Sequence, residues 1–149
     1  MKYHNITKAD MLNGEGLRVV LWVSGCSHHC PACQNAFTWN ENDGVDFDDN
    51  AINEIYKELE NDWCDGITLS GGDPLFLKNR KTIRDLVLNI KTRYPNKTIW
   101  SYTGYTWEEL MDQMPNDENL RDILNNIDVL CEGRFVLPGT EELNEELDR

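Results

Sequence analysis

Four short apolar runs, each followed by a loop and most then by a segment of helical periodicity, restrict the folds open to this chain more than any other feature. Leu17 to Ser24 reads LRVVLWVS, Gly66 to Ser70 GITLS, Thr98 to Tyr102 TIWSY, and Asp128 to Glu132 DVLCE. The first is Val-rich and nearly continuous, the pattern of a strand covered on both faces, and the others read as further short strands. Between them, Ile52, Ile55, Tyr56 and Leu59 recur at helical spacing, as do Ile83, Leu86, Val87 and Ile90, and then Leu120, Ile123, Leu124 and Ile127. Asp48 and Asp49 can cap the first helix, which is expected to end near Trp63, and Pro95-Asn96 stops the second. Thr106 with Glu109 makes a capping-box pattern for a short helix that Pro115 ends. Strand and helix alternating in this way predict an α/β fold of right-handed βα units with a mostly parallel sheet, open or curled into part of a barrel. Four units are too few to close eight strands. With 149 residues and no internal repeat or Gly/Ser-rich boundary, one domain is expected.

In such sheets ligands gather at the carboxyl ends of the strands, and there the chain places three unusual loops. The first is GCSHHCPAC, with Cys26, Cys30 and Cys33 inside eight residues. Soft thiolates select zinc, copper(I) or iron-sulfur clusters, and this spacing lets three sulfurs converge on one centre, whereas disulfide pairing would strand one of them. Protein-ligated sites of these kinds usually have four ligands, so the triad implies a distant fourth residue or an open position. Cys64, Cys131, His28 and His29 are the residues with a claim to it. The histidines lie inside the loop, where joining all three thiolates is awkward, and Cys64 and Cys131 fall beside or within expected strands, as buried inert thiols do. The second loop, Gly71-Gly72-Asp73-Pro74, lets backbone approach a ligand closely and adds a carboxylate able to accept from an ammonium group. The third is Thr103-Gly104-Tyr105.

A net charge of -13, from 27 acidic and 14 basic residues, argues against a phosphate-backbone surface, so nucleic acid is not an expected partner. No apolar leader stands at Met1 to Asp10 and no apolar run is long enough to span a bilayer. The expectation is a cytoplasmic protein with no membrane partner, where thiols stay reduced.

These loops together resemble the radical S-adenosylmethionine superfamily, and within it the glycyl-radical-enzyme activases that serve anaerobic ribonucleoside-triphosphate reductase. The resemblance runs through Asn13 to Arg18, Gly25 to Asn35 with Thr38-Trp39, Ser70 to Leu75, Tyr102 to Tyr105, Ile127 to Leu130, and Gly133 to Phe135. It implies a partial, open (βα) barrel of the radical S-adenosylmethionine type, with one such domain over residues 1–149 and a short acidic tail from about Gly139. It implies a [4Fe-4S] cluster on Cys26, Cys30 and Cys33, with S-adenosylmethionine chelating the fourth iron. Reductive cleavage would then give methionine and a 5′-deoxyadenosyl radical, which takes a hydrogen atom from a glycine of the large reductase subunit. A flavodoxin-like or ferredoxin electron donor is the further implied partner.

By the same resemblance Gly71, Gly72 and Asp73 hold the amino group of S-adenosylmethionine, with Thr103 in the same pocket. Asn35 and Trp39 shape the cluster loop, although simple loop packing serves equally for Trp39. The cofactor carries the radical chemistry, so no general acid or base is required, and His4, His28 and His29 read as exposed or cluster-flanking. Many superfamily members have an aromatic residue where this chain has Ala32, so adenine must be gripped by other residues. The ending, GTEELNEELDR, is acidic where relatives carry a basic, polar stretch. Two other functions compete: a radical S-adenosylmethionine enzyme with another substrate, and a zinc-stapled binding module in which Cys64 or Cys131 completes a four-thiolate site.

Overall fold

A computed structural model describes residues 1–26, 28 and 40–133, and shows a mixed six-stranded sheet with four helices. In chain order the strands are β1 (Lys2–Asp10), β2 (Arg18–Val23), β3 (Val45–Asp46), β4 (Gly66–Gly71), β5 (Thr98–Tyr102) and β6 (Val129–Cys131). The helices are α1 (Asp49–Leu59), α2 (Arg80–Arg93), α3 (Trp107–Gln113) and α4 (Glu118–Asn126). The spatial order is β3-β1-β2-β4-β5-β6, with parallel pairing from β2 through β6 and antiparallel pairing of β1 with both β2 and β3. All four apolar runs are strands, and the α/β, mostly parallel expectation holds for them.

Alternation along the parallel strands sorts their residues onto two faces. Val19, Leu21, Val23, Ile67, Leu69 and Ile99 join Ile55, Leu59, Ile83, Val87, Ile90, Leu110, Leu120 and Ile123 from all four helices in one buried cluster. Successive right-handed crossovers advancing in one direction along the sheet put the helices on the same side. The opposite face carries Arg18, Trp22, Thr68, Ser70, Trp100 and Tyr102, and there the Arg18 guanidinium lies 5.4 Å from the Trp100 ring centroid.

The helix starts follow their caps. Asp48 accepts from the Ala51 N–H at 3.1 Å, and Thr106 and Glu109 form the reciprocal capping box. α1 ends at Leu59, short of the expected Trp63, because the Asn61 N–H turns back to the Glu58 carbonyl and the Lys97 ammonium donates to the carbonyls of Asn61 and Cys64. Trp63 is left 40% exposed in that turn. Two strands had no expectation attached. In β1 only Ile6 is buried, so the strand carries no apolar alternation, and β3 is two exposed residues long. Both are defined by pairing with distant segments, which local sequence does not encode. No helix among the described residues is long and apolar enough to cross a membrane.

Candidate functional site

β2, β4 and β5 run parallel and end side by side, so the loops that follow them meet at one edge. Gly71 closes β4 with φ 102°, and a Cβ there would lie 2.5 Å from both the amide nitrogen and the carbonyl oxygen of Val23. Only glycine lets the β4 loop cross that close to the end of β2. The crossing is sewn down by the Gly72 N–H donating to the Val23 carbonyl (2.8 Å) and the Asp73 N–H donating to the Gly25 carbonyl (2.7 Å). The Asn79 side-chain amide adds a 2.8 Å bond to the Ser24 carbonyl. Cys26 therefore begins its loop from a backbone already tied to the Gly-Gly-Asp turn.

Asp73 is the centre of this edge, 1% exposed. Its Oδ1 accepts from the Leu75 N–H and from the Thr103 hydroxyl, each at 2.9 Å. Its Oδ2 accepts from the Gly104 N–H at 3.0 Å and lies 2.8 Å from His28 Nε2. A carboxylate only accepts, so His28 presents an Nε2–H to it. One buried carboxylate thus joins its own loop, the Thr-Gly-Tyr loop and the cysteine loop, and charge-assisted bonds of this kind are about twice as strong as neutral ones. The Cys26 thiol completes the group: one ligand atom each from Cys26, His28 and Asp73 lie within 4.8 Å of one another.

The expected residues Cys26, Gly71, Gly72, Asp73 and Thr103 are brought together, while Cys30, Cys33, Ala32, Asn35, Trp39 and the acidic tail lie outside the described residues. His28, read from sequence as exposed or flanking, has a side chain only 3% exposed. Its ring stands edge-on to Tyr105, with centroids 4.5 Å apart and planes at 81°. Asn79 was not anticipated as a support of the site. Tyr105 and Gly104 had a signal in the unusual Thr-Gly-Tyr loop; Asn79 and the His28–Asp73 contact had none, because the partners are far apart in sequence.

Of the remaining cysteines, Cys64 stands apart from this group, whereas Cys131 lies at the same carboxyl edge, its carbonyl accepting from the Thr103 N–H at 3.0 Å. Cys64 precedes β4 at the opposite end of the sheet, on the order of 20 Å away by the length of a six-residue strand. It is 1% exposed, with its thiol 3.4 Å from the Gly66 carbonyl it donates to. Cys131 ends β6, half-buried, and burial pushes its thiol pKa up, which opposes thiolate formation. Three thiols, one of them fixed at the loop edge by the Gly25 backbone, are a donor set that fits an iron-sulfur cluster.

A family model described as a 4Fe-4S single cluster domain matches residues 12–147. The chain is 39% identical to the anaerobic ribonucleoside-triphosphate reductase-activating protein of Enterobacteria phage T4 over 135 residues, which is 91% of this chain and 81% of that protein. The protein of the same name from Haemophilus influenzae is 41% identical over 138 residues, 91% of this chain and 85% of that one. The Escherichia coli (strain K12) protein of that name is 40% identical over 138 residues, 91% of this chain and 86% of its own length.

Proposed function

This chain belongs to the family of anaerobic ribonucleoside-triphosphate reductase-activating proteins, with its 4Fe-4S domain, and from that we propose that it is an activase that installs a glycyl radical on the large subunit of such a reductase. The observation that carries the reading is the convergence, through Asp73, of the Cys26 loop, the Gly71-Gly72-Asp73 turn and Thr103 at one strand edge. Cys26, Cys30 and Cys33 would hold the [4Fe-4S] cluster, which when bound would supply the one-electron chemistry for reductive cleavage of S-adenosylmethionine to methionine and the 5′-deoxyadenosyl radical that would take the glycine hydrogen.

The chain's own residues bind, orient and shield. Gly71, Gly72 and Asp73 receive the amino group of S-adenosylmethionine. Because the Asp73 carboxylate already accepts from Leu75, Thr103, Gly104 and His28, the backbone of that turn is the part that meets the ammonium, and the carboxylate holds the turn in shape. Thr103 acts through Asp73 in the same way. The parallel strands β2, β4, β5 and β6 are the core of a partial, open (βα) barrel, one domain of the radical S-adenosylmethionine type. The electron comes from a flavodoxin-like or ferredoxin donor.

The test is anaerobic reconstitution with iron and sulfide, followed by incubation with reductase large subunit, reductant and S-adenosylmethionine. The expected result is a brown protein whose reduced-state paramagnetic resonance spectrum changes with S-adenosylmethionine, and a glycyl doublet on the partner. Cys26→Ala abolishes the cluster and Cys64→Ala leaves it intact. A colourless zinc protein indifferent to S-adenosylmethionine would overturn the reading.

A further inference from the structure

We propose that His28 is a positioning residue that locks the cysteine loop to the Gly71-Gly72-Asp73 turn, so that a ligand touching both is held by a single rigid edge. The inference rests on the reading of this edge as the S-adenosylmethionine site. Three independent contacts seat the imidazole. Nε2 lies 2.8 Å from the Asp73 carboxylate, the ring packs edge-on against Tyr105 at 4.5 Å, and the ring lies over Gly104, where a Cβ would come within 2.4 Å of Cδ2. The residue sits two positions after Cys26 and two before Cys30, so its contact with Asp73 ties the sequence between the first two cysteines to the turn. Asp73, in turn, is bound to the backbone of Leu75 in its own turn and to Thr103 and Gly104 in the next loop.

This arrangement separates two properties. The proposed cluster takes its protein ligands from the cysteine loop alone, so its retention does not require the link to the glycine turn. S-adenosylmethionine would touch the cluster's open iron and the glycine turn at once, so its affinity depends on how the two loops are held relative to each other. In this role His28 acts through the Asp73 carboxylate that its Nε2 meets, not by touching the ligand.

The experiment compares wild type, His28→Leu, His28→Gln and Gly104→Ala after anaerobic reconstitution. Iron content and visible absorption report the cluster, calorimetric titration reports S-adenosylmethionine affinity, and thermal melting of the metal-free proteins reports folding. All four proteins are expected to load iron equally. His28→Leu binds S-adenosylmethionine about tenfold more weakly, the effect of one lost charge-assisted hydrogen bond. His28→Gln, whose amide N–H reaches the same carboxylate, recovers most of that loss. Gly104→Ala, which displaces the ring without changing it, weakens binding in the same direction. Wild-type affinity in His28→Leu or Gly104→Ala, loss of iron in His28→Leu, or failure of Gln to rescue would each overturn the lock while leaving the activase reading standing. A cluster-loaded wild type that does not bind S-adenosylmethionine removes the premise and overturns both.

Discussion

Two buried charges stand at opposite ends of the same sheet and are satisfied in opposite ways. At the amino end of β2, the Arg18 guanidinium, 1% exposed, donates to the Thr68 and Thr98 hydroxyls and to the carbonyls of Glu15, Ile67 and Thr98, at 2.8 to 3.2 Å. All five of its N–H groups meet neutral oxygens, mostly on neighbouring strands. Burial lowers its pKa, opposed by the acidic groups Asp65, Asp128 and Glu15 and by the Cys64 thiol. Past the carboxyl end of β4, Asp73 accepts instead from groups on three separate loops. The first charge stitches strands already paired in the sheet, and the second holds together loops that the sheet merely brings near. The amino edge therefore braces the sheet, and the carboxyl edge ties together the loops proposed to hold the ligand.

The sharpest way to break this contrast is at Arg18. Arg18→Met leaves the two hydroxyls and three carbonyls without their donor and is expected to destabilise the protein by about 3 kcal/mol in urea unfolding. Variants that still fold at low temperature should bind S-adenosylmethionine as wild type does. Weakened binding there would mean that the two edges are coupled. Asp73→Asn should cost less stability, about 2 kcal/mol, since the amide keeps the shape and some acceptor capacity, yet it should lower S-adenosylmethionine affinity in calorimetry with iron content unchanged. An equal loss of iron would show that the carboxylate serves the cluster loop itself rather than its link to the turn.

The smallest effect belongs to Asp117, which caps α4 through the Leu120 N–H and pairs at 2.7 Å with Arg80, whose Nε donates to the Leu75 carbonyl beside the carboxyl edge. Burial raises its pKa, but the Leu120 N–H and Arg80 outweigh that and hold the carboxyl below its ordinary value. A depressed folded-state pKa stabilises the protein above the unfolded carboxyl pKa, and that contribution is lost as pH falls through the folded one. Asp117→Asn, which keeps a capping oxygen, should therefore cost about 1 kcal/mol at neutral pH after solvent screening and flatten the acid limb of the stability profile below about pH 4. An unchanged acid limb in chemical unfolding would assign that limb to other carboxylates.

The parallel half of the fold was legible because its strands are short, mostly buried runs rich in apolar residues and its helices repeat their apolar residues at the helical period. Caps at Asp48 and Thr106 were equally plain, being local hydrogen bonds between residues three apart. β1 was not legible: its pattern of one buried residue in nine resembles a polar loop, and its strand character comes from pairing with β2 and β3. At the site, Cys26 and the Gly71-Gly72-Asp73 turn stood out by residue type. His28 did not, since a histidine beside cysteines carries no sign of whether its ring is buried, and the carboxylate that buries it is forty-five residues on.

Residue spacing alone determined that the chain alternates strands and helices and brings three unusual loops to one edge, because periodicity and turn chemistry act over a few residues. Only the tertiary structure decided what Asp73 and His28 do. The carboxylate that sequence offered to an incoming ammonium is saturated by protein donors, and the histidine that looked incidental is one of them. Such roles depend on which distant groups share a buried volume, and a buried charge must find its partners there wherever in the chain they lie.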